Sequence, residues 1–151
     1  MKIVRPVVLL FTALAVLLSS TALAATPDKG TISKKKKSVS WTGTLTISIP
    51  VNDCVQGSDS PECDYFYLKV DAPDGARVRV VIPAPSAVSD IDLYVYAANG
   101  AQVANSGNIF GETEVAEWRH SARFRNKPYE VRVQAYLVPP GTAYKGTASL
   151  R

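Results

Sequence analysis

Polar and apolar residues alternate with a period of two through most of this sequence, and this pattern constrains the fold most. The runs Asp64–Val70, Ala76–Ile82 and Asp90–Ala97 each place an apolar side chain at every second position. Successive side chains of a β-strand point to opposite faces of a sheet, so each run predicts a strand with one buried face. The predicted inward-facing residues are Phe66, Leu68, Val70, Val78, Val80, Ile82, Ile91, Leu93 and Val95.

Residues that favour tight turns separate these runs. Asp74-Gly75 and Asn99-Gly100 accept the positive φ angles of hairpin turns, and Pro139-Pro140-Gly141 ends a later run. We count eight or nine short strands in about 110 residues, a spacing typical of two packed antiparallel sheets. The sequence therefore predicts an all-β fold, an antiparallel β-sandwich over residues 40–151, with a closed barrel as the alternative.

Residues 1–24 have the three parts of a secretory signal peptide. Lys2 and Arg5 give a positive start, Val7–Leu18 is apolar, and the segment Ala22–Ala24 has small residues at a cleavage spacing. The apolar run of about 12 residues is shorter than the roughly 20 that a spanning helix needs. We therefore predict cleavage after Ala24, a secreted extracellular protein, and no membrane span in the mature chain.

Residues 25–39 are polar and lack periodicity, which predicts a Lys-rich flexible linker containing Lys34–Lys37. From Ser40 onward, 10 Lys and Arg face 12 Asp and Glu, so the net charge of +4 comes from the N-terminal part. The lysines are either a solvated linker or an electrostatic handle for an acidic cell wall, anionic lipid or polysaccharide. The folded part has no evident basic face, so we expect no nucleic-acid partner.

Two cysteines, Cys54 and Cys63, flank a short polar segment. In an exported protein, an even number of cysteines this close together predicts a local disulfide. A separation of nine residues is longer than the usual spacing of paired zinc ligands, and the lack of further cysteines or a nearby histidine also disfavours a zinc site.

Motifs for catalysis are missing from the sequence. His120 is the only histidine, and we expect it at the surface or in a loop. No Gly-x-Ser-x-Gly, His-Glu-x-x-His or phosphate-binding glycine loop occurs. We therefore predict that the protein is not an enzyme. A small extracellular hydrolase is the weakest alternative, because paired carboxylates of the glycosidase type have no fixed sequence spacing.

The order of several segments resembles the bacterial pre-peptidase C-terminal domain family. The segments are "DYFYLKV", "DIDLYVYAANGAQVANSG", "GETEV", "YEVRVQAY" and "YKGTASL", within Asp64–Leu150. The resemblance implies a jelly-roll-like β-sandwich without catalytic activity, appended to secreted enzymes and related to collagen-binding domains that bind calcium. The chain departs from the family in having no peptidase before the domain and Asn126-Lys127-Pro128 in place of the usual glycine.

Four acidic residues are candidates for a weak calcium site. Asp90 and Asp92 share one face of their predicted strand, and Glu112 and Glu114 could add further oxygens. In the alternative interpretation, Asp90 caps the turn after Ser89, and Asp92 accepts hydrogen bonds from backbone amides of a neighbouring loop. We predict no other cofactor.

Two surface features remain as candidates for binding. Tyr65, Tyr67, Tyr94 and Tyr96 lie opposite the core residues of their strands and could bind sugars or a peptide chain. The alternative is that they stabilise the sheet across strands. Residues 119–127 contain a basic segment that either binds a ligand or only keeps the protein soluble. Its members are Arg119, Arg123, Arg125 and Lys127.

Together these features predict a secreted, non-catalytic β-sandwich domain that acts in binding or targeting outside the cell. The expected partner is a polysaccharide, the cell wall or an extracellular protein. The alternative is a structural or docking module of a larger exported protein truncated after residue 151. The sequence makes no prediction of the oligomeric state.

Overall fold

The computed structural model describes residues 25–45 and 63–151. Within these ranges the chain forms nine strands and one short 3-10 helix, Ala122–Phe124. The strands are β1 Lys29–Ser33, β2 Ser38–Leu45, β3 Cys63–Asp71, β4 Arg77–Ile82, β5 Asp90–Tyr96, β6 Gln102–Ser106, β7 Glu114–Arg119, β8 Tyr129–Leu137 and β9 Thr142–Leu150.

The strands form two sheets that pack face to face. The five-stranded sheet has the order β1-β3-β8-β5-β6, and the four-stranded sheet has the order β2-β9-β4-β7. Neighbouring strands are antiparallel except β1, which pairs with β3 in parallel. The predicted all-β sandwich is confirmed, and the parallel edge strand is the one departure from antiparallel pairing among the described strands.

Alternation along the strands builds the core between the sheets. The apolar residues predicted to face inward on β3, β4 and β5 are all at most 2% exposed. Trp41 of β2 stacks on Phe66 of β3, with ring centroids 4.0 Å apart and an interplanar angle of 4°. Gly146 of β9 lies directly opposite Trp41 in the same sheet, and its lack of a side chain leaves room for the indole ring.

The linker predicted for residues 25–39 is wrong. Residues in this range form β1 and the start of β2, and Ala25 and Ile32 are buried in the core. Ile32 is the only large apolar residue of β1, so the strand has too little alternation to be recognised from sequence. The backbone hydrogen bonds of its parallel pairing with β3 hold this segment in the sheet. The lysines form the turn between β1 and β2, where Ser33 N donates to Lys36 O.

His120 lies in the loop after β7, one of the two predicted placements, but it is buried and not at the surface. It is 1% exposed, and its Nδ1 lies 3.0 Å from the Tyr129 hydroxyl. The aromatic rings of Tyr129 and its neighbour Phe124 meet edge to face here, which closes the region around the histidine. Burial lowers the pKa of His120, and the charge of Arg125 lowers it further.

Two parts of the sequence-based account concern residues outside the described ranges. The signal peptide of residues 1–24 is one of them, and so is Cys54. Cys63 begins β3 and is buried, but its pairing with Cys54 stays a prediction. Among the described residues, none of the helices has the length and apolar character needed to cross a membrane.

Candidate functional site

Three of the four predicted acidic ligands come together at one end of the sandwich. Glu114 begins β7 and is 1% exposed, and Asn108 N donates to its Oε1 and Oε2 at 3.1 and 3.3 Å. Burial raises the pKa of Glu114, and repulsion from Asp92 and Asp90 raises it further. Burial also raises the pKa of Asp92, partly offset by a 3.1 Å hydrogen bond from the Tyr94 hydroxyl. The three carboxylates are therefore close enough to repel one another electrostatically.

The roles within this acidic group differ from those predicted. Among the described residues, the carboxylate of this group that accepts a hydrogen bond from a loop backbone amide is Glu114 and not Asp92. Glu112 is exposed in the loop before β7, outside the group. Asp90 was expected to cap the turn before β5. At that turn the hydroxyls of Ser86 and Ser89 lie 2.7 Å apart and form a hydrogen bond. Among the described residues, no three His, Cys, Asp or Glu side chains are placed to hold a metal ion together.

The sequence did not indicate that Glu114 is buried, because the acidic segment before Trp118 is typical of a solvent-exposed strand face. The position of Trp118 in the sequence could have indicated that Glu114 faces inward. Glu114, Ala116 and Trp118 share one face of β7 and are all buried, whereas Glu117 points outward. A tryptophan two pleats away fixes which face of a strand is buried, even when a carboxylate lies on the same face.

The four tyrosines predicted as a ligand surface do not form a continuous strip, because β8 lies between β3 and β5. Arg132 of β8 pairs with Tyr65 on one side and Tyr94 on the other. Its guanidinium lies 4.0 Å from the centroid of the Tyr96 ring, and its Nε donates to Glu130. Cation–π contacts of this kind stabilise a sheet face.

Exposure of these tyrosines is uneven. Tyr67 is 42% exposed, whereas Tyr65, Tyr94 and Tyr96 are half-buried around the buried Arg132. The arrangement fits the alternative interpretation, in which the tyrosines stabilise neighbouring strands. A ligand role for them stays a prediction.

One buried carboxylate was not singled out from the sequence. Asp64 of β3 is 1% exposed, between the sheets, and burial raises its pKa to about 6. The Tyr144 hydroxyl donates to its Oδ2 at 2.9 Å and Tyr65 N to its Oδ1 at 2.7 Å. A Cβ on Gly43 would lie 1.9 Å from Oδ2, so the small residue makes room for the carboxylate. This enclosed group is structural and offers nothing to a ligand.

The turn between β1 and β2 contributes to two adjoining grooves at the other end of the sandwich. One groove, of about 400 Å³, has an apolar floor that includes Ala72, Pro73 and Leu150, with Lys34 and Lys37 at its rim. The second, of about 480 Å³, shares Lys34, Ala72 and Pro73 with the first. It is also lined by Lys35, Asp71 and Arg125.

Arginines of the four-stranded sheet add charge at this same end. Arg77 and Arg119 lie directly opposite each other on β4 and β7, and both are exposed. Arg119 donates to Gly75 O at 3.2 Å, in the turn that leads to β4. Like charges directly opposite on a sheet repel, so this pair would be stabilised by a bound anion.

We call this region the basic end. It joins the lysine turn to the basic segment that the sequence placed about 90 residues further along, because Arg125 and Lys34 line the same groove. The exposed cations of the basic end are Lys34, Lys35, Lys36, Lys37, Arg77, Arg119, Arg123, Arg125, Lys127 and Arg151. The expectation that the folded part has no basic face is therefore wrong. The two segments are far apart in the sequence, and no local pattern there shows that they meet.

No model of a protein family matches the chain, and no curated protein sequence matches it. Among solved structures, the chain is similar to the pre-peptidase C-terminal domain of a collagenase from Bacillus anthracis. The TM-score is 0.48 and the sequence identity 11%, over 82% of this chain and 94% of that chain.

Proposed function

We propose that this protein is a secreted, non-catalytic β-sandwich domain that binds an acidic polysaccharide through its basic end. The observation that carries the proposal is the convergence of two sequence-distant basic segments on adjoining grooves. The signal-peptide features of residues 1–24 support secretion.

The grooves combine the two kinds of contact that a charged sugar polymer uses. Flexible, exposed cations such as Lys34, Lys37 and Arg125 can each meet a carboxylate or sulfate. The apolar floor of Pro73 and Leu150 can pack against the faces of sugar rings. Because the two grooves adjoin, a chain of several sugar units can occupy both. Volumes of about 400 and 480 Å³ are within the usual range of ligand sites.

Non-catalytic action is supported by the burial of the groups that would do chemistry. His120 lies beneath the surface against Tyr129, where a substrate would not reach its ring. Glu114, the most buried of the clustered carboxylates, is held by the Asn108 amide. General acid–base catalysis needs such groups within hydrogen-bond reach of a substrate.

Binding of polygalacturonate and of neutral dextran to the purified chain tests the proposal. We expect binding to polygalacturonate that weakens as salt is added, since exposed charges are screened, and none to dextran. Lys34→Glu with Arg125→Glu should weaken binding about tenfold or more.

Lys29→Glu with Lys145→Glu is the matched control, because it changes the charge equally at exposed positions away from the grooves. It should leave most of the affinity intact. Equal losses in the two double variants, or equal binding to dextran, would contradict a site at the basic end.

A further inference from the structure

The end of the sandwich opposite the basic end exposes a group of large apolar side chains. Val88, Ile109 and Phe110 are 66%, 71% and 50% exposed on two loops. The loops pack on each other, since Gly111 N donates to Ser89 O at 2.9 Å. A Cβ on Gly111 would lie 2.9 Å from Ala87 O, which confirms the tight contact.

The end of β8 extends this apolar group. Leu137 pairs with Asp90, one residue from the loop that carries Val88, and Tyr136 precedes it. Both are exposed, at 44% and 46%. Of the six large apolar residues most exposed in the described ranges, only Tyr67 lies elsewhere. We call Val88, Ile109, Phe110, Tyr136 and Leu137 the apolar end.

Acidic residues accompany the apolar end. The sequence from Ile82 to Trp118 contains five Asp or Glu and no Lys or Arg. Glu112 is exposed two residues after Phe110, and Asp92 lies half-buried on β5. Glu112 is therefore the exposed carboxylate of the apolar end, whereas the exposed cations gather at the other end, where Asp71 and Asp74 are also exposed.

The two ends are separated by the length of the strands. β8 begins at Tyr129, next to the basic segment, and ends at Leu137 in the apolar end. Nine residues of extended strand span about 30 Å. One molecule therefore cannot bring its own two ends together, whereas two molecules in line can.

We propose that copies of this chain associate head to tail, with the apolar end of one copy docked in the grooves of the basic end of the next. Ile109 and Phe110 would meet the floor of Ala72, Pro73 and Leu150. Glu112 would meet Lys34 and Lys37 at the rim. Opposite charges around an apolar centre are the usual composition of a specific interface.

A contact between two different surfaces repeats from copy to copy, so it produces rings or open chains and not a closed two-fold dimer. The proposal uses the grooves assigned above to polysaccharide but does not require that a polysaccharide binds. If both hold, an acidic polysaccharide competes with the neighbouring copy and disperses the assembly.

Sedimentation velocity of the purified chain at low salt, over about a hundredfold range of concentration, tests the proposal. We expect the average mass to rise with concentration in the wild type. Phe110→Ser and Lys34→Glu should each shift association to at least about tenfold higher concentration. Tyr67→Ser, at an exposed tyrosine outside both ends, should associate as the wild type does.

A charge exchange separates this arrangement from others. Glu112→Lys and Lys34→Glu should each weaken self-association, because each places like charges at the contact. An equal mixture of the two variants should associate again, because the native apolar end of one meets the native groove of the other.

Three outcomes would overturn the proposal: a wild type monomeric throughout, a mixture no more associated than its components, or association that Phe110→Ser weakens and Lys34→Glu leaves unchanged. The last would show apolar ends facing each other. A monomeric wild type that still binds polygalacturonate would overturn head-to-tail assembly alone. Association without polygalacturonate binding would contradict the polysaccharide function alone.

Discussion

Tyr144 of β9 donates a 2.9 Å hydrogen bond to Oδ2 of Asp64 on β3, across the interface between the two sheets. The two residues are 80 positions apart in sequence. Burial raises the pKa of Asp64 to about 6, and the hydrogen bonds from Tyr144 and Tyr65 N limit the increase. This hydrogen bond is thus a buried polar link between the two sheets within a largely apolar core.

Tyr144→Phe should destabilise the fold, because it leaves a buried carboxylate without its side-chain donor. The expected loss in the free energy of unfolding is about 1.5–3 kcal/mol at pH 7, the usual range for a bond to a charged group. Urea unfolding measures it. Tyr136→Phe is the control, since this tyrosine is exposed, and it should change stability by less than about 0.5 kcal/mol. Equal effects in the two variants would contradict the role of the link.

Asp64→Asn should change how stability depends on pH. The folded pKa of about 6 is above the ordinary aspartate pKa of 3.8, so the folded state binds the proton more tightly. This contribution to stability is fully present below pH 4 and is lost as pH rises through about 6. The shift corresponds to about 3 kcal/mol.

The measurement is urea unfolding of Asp64→Asn and the wild type at each pH from 4 to 7.5, so that other titrating groups contribute equally to both. The difference in stability should move in favour of the asparagine variant as pH rises. A difference that stays constant over this range would show that Asp64 titrates normally in the folded state.

Sequence patterns predicted the sandwich well where side chains alternate strongly. On β3, β4 and β5 every second residue is a large aliphatic or aromatic residue, and the buried faces are as expected. Turns form at Asp74-Gly75 and Asn99-Gly100 as predicted, with positive φ angles of 75° and 83° at the glycines. Only Asn99-Gly100 closes a hairpin, because the strands on either side of Asp74-Gly75 lie in different sheets. Strand β1 was missed because its place depends on pairing with β3 and not on its own composition.

The candidate site was harder to predict because it depends on contacts between distant segments. The lysine turn and the basic segment lie far apart in sequence, and only the fold brings Lys34 and Arg125 to one groove. The tyrosines were recognised as a group, but β8 inserts Arg132 between them. Strand order is set by the whole sheet, so a strand's own alternation does not reveal its neighbours.

Asp92→Asn should raise stability at neutral pH, because it removes one charge from a group that includes Asp90 and Glu114. The amide oxygen can still accept from Tyr94, as the carboxylate does at 3.1 Å. Thermal melts at pH 7 and pH 4 measure the effect. The raised pKa values mean that the gain should shrink at pH 4, where the wild-type carboxyls are increasingly protonated.

The same melts with calcium and with a chelator test the predicted metal role of Asp90, Asp92, Glu112 and Glu114. If the acidic group is structural, millimolar calcium should leave the melting temperature of the wild type unchanged. A ligand that binds the folded state raises that temperature. A rise of several degrees that is lost in Asp92→Asn would replace the structural interpretation with a calcium site.

Chemical-shift mapping by NMR tests the polysaccharide site most directly. Oligogalacturonate is titrated into the isotopically labelled chain, and backbone amide shifts are followed residue by residue. The account predicts that the largest changes fall on residues 33–37, 71–77 and 119–127, which surround the basic end. Changes centred on Tyr65, Tyr67, Tyr94 and Tyr96, or on the apolar end, would contradict it and assign the ligand to that surface instead.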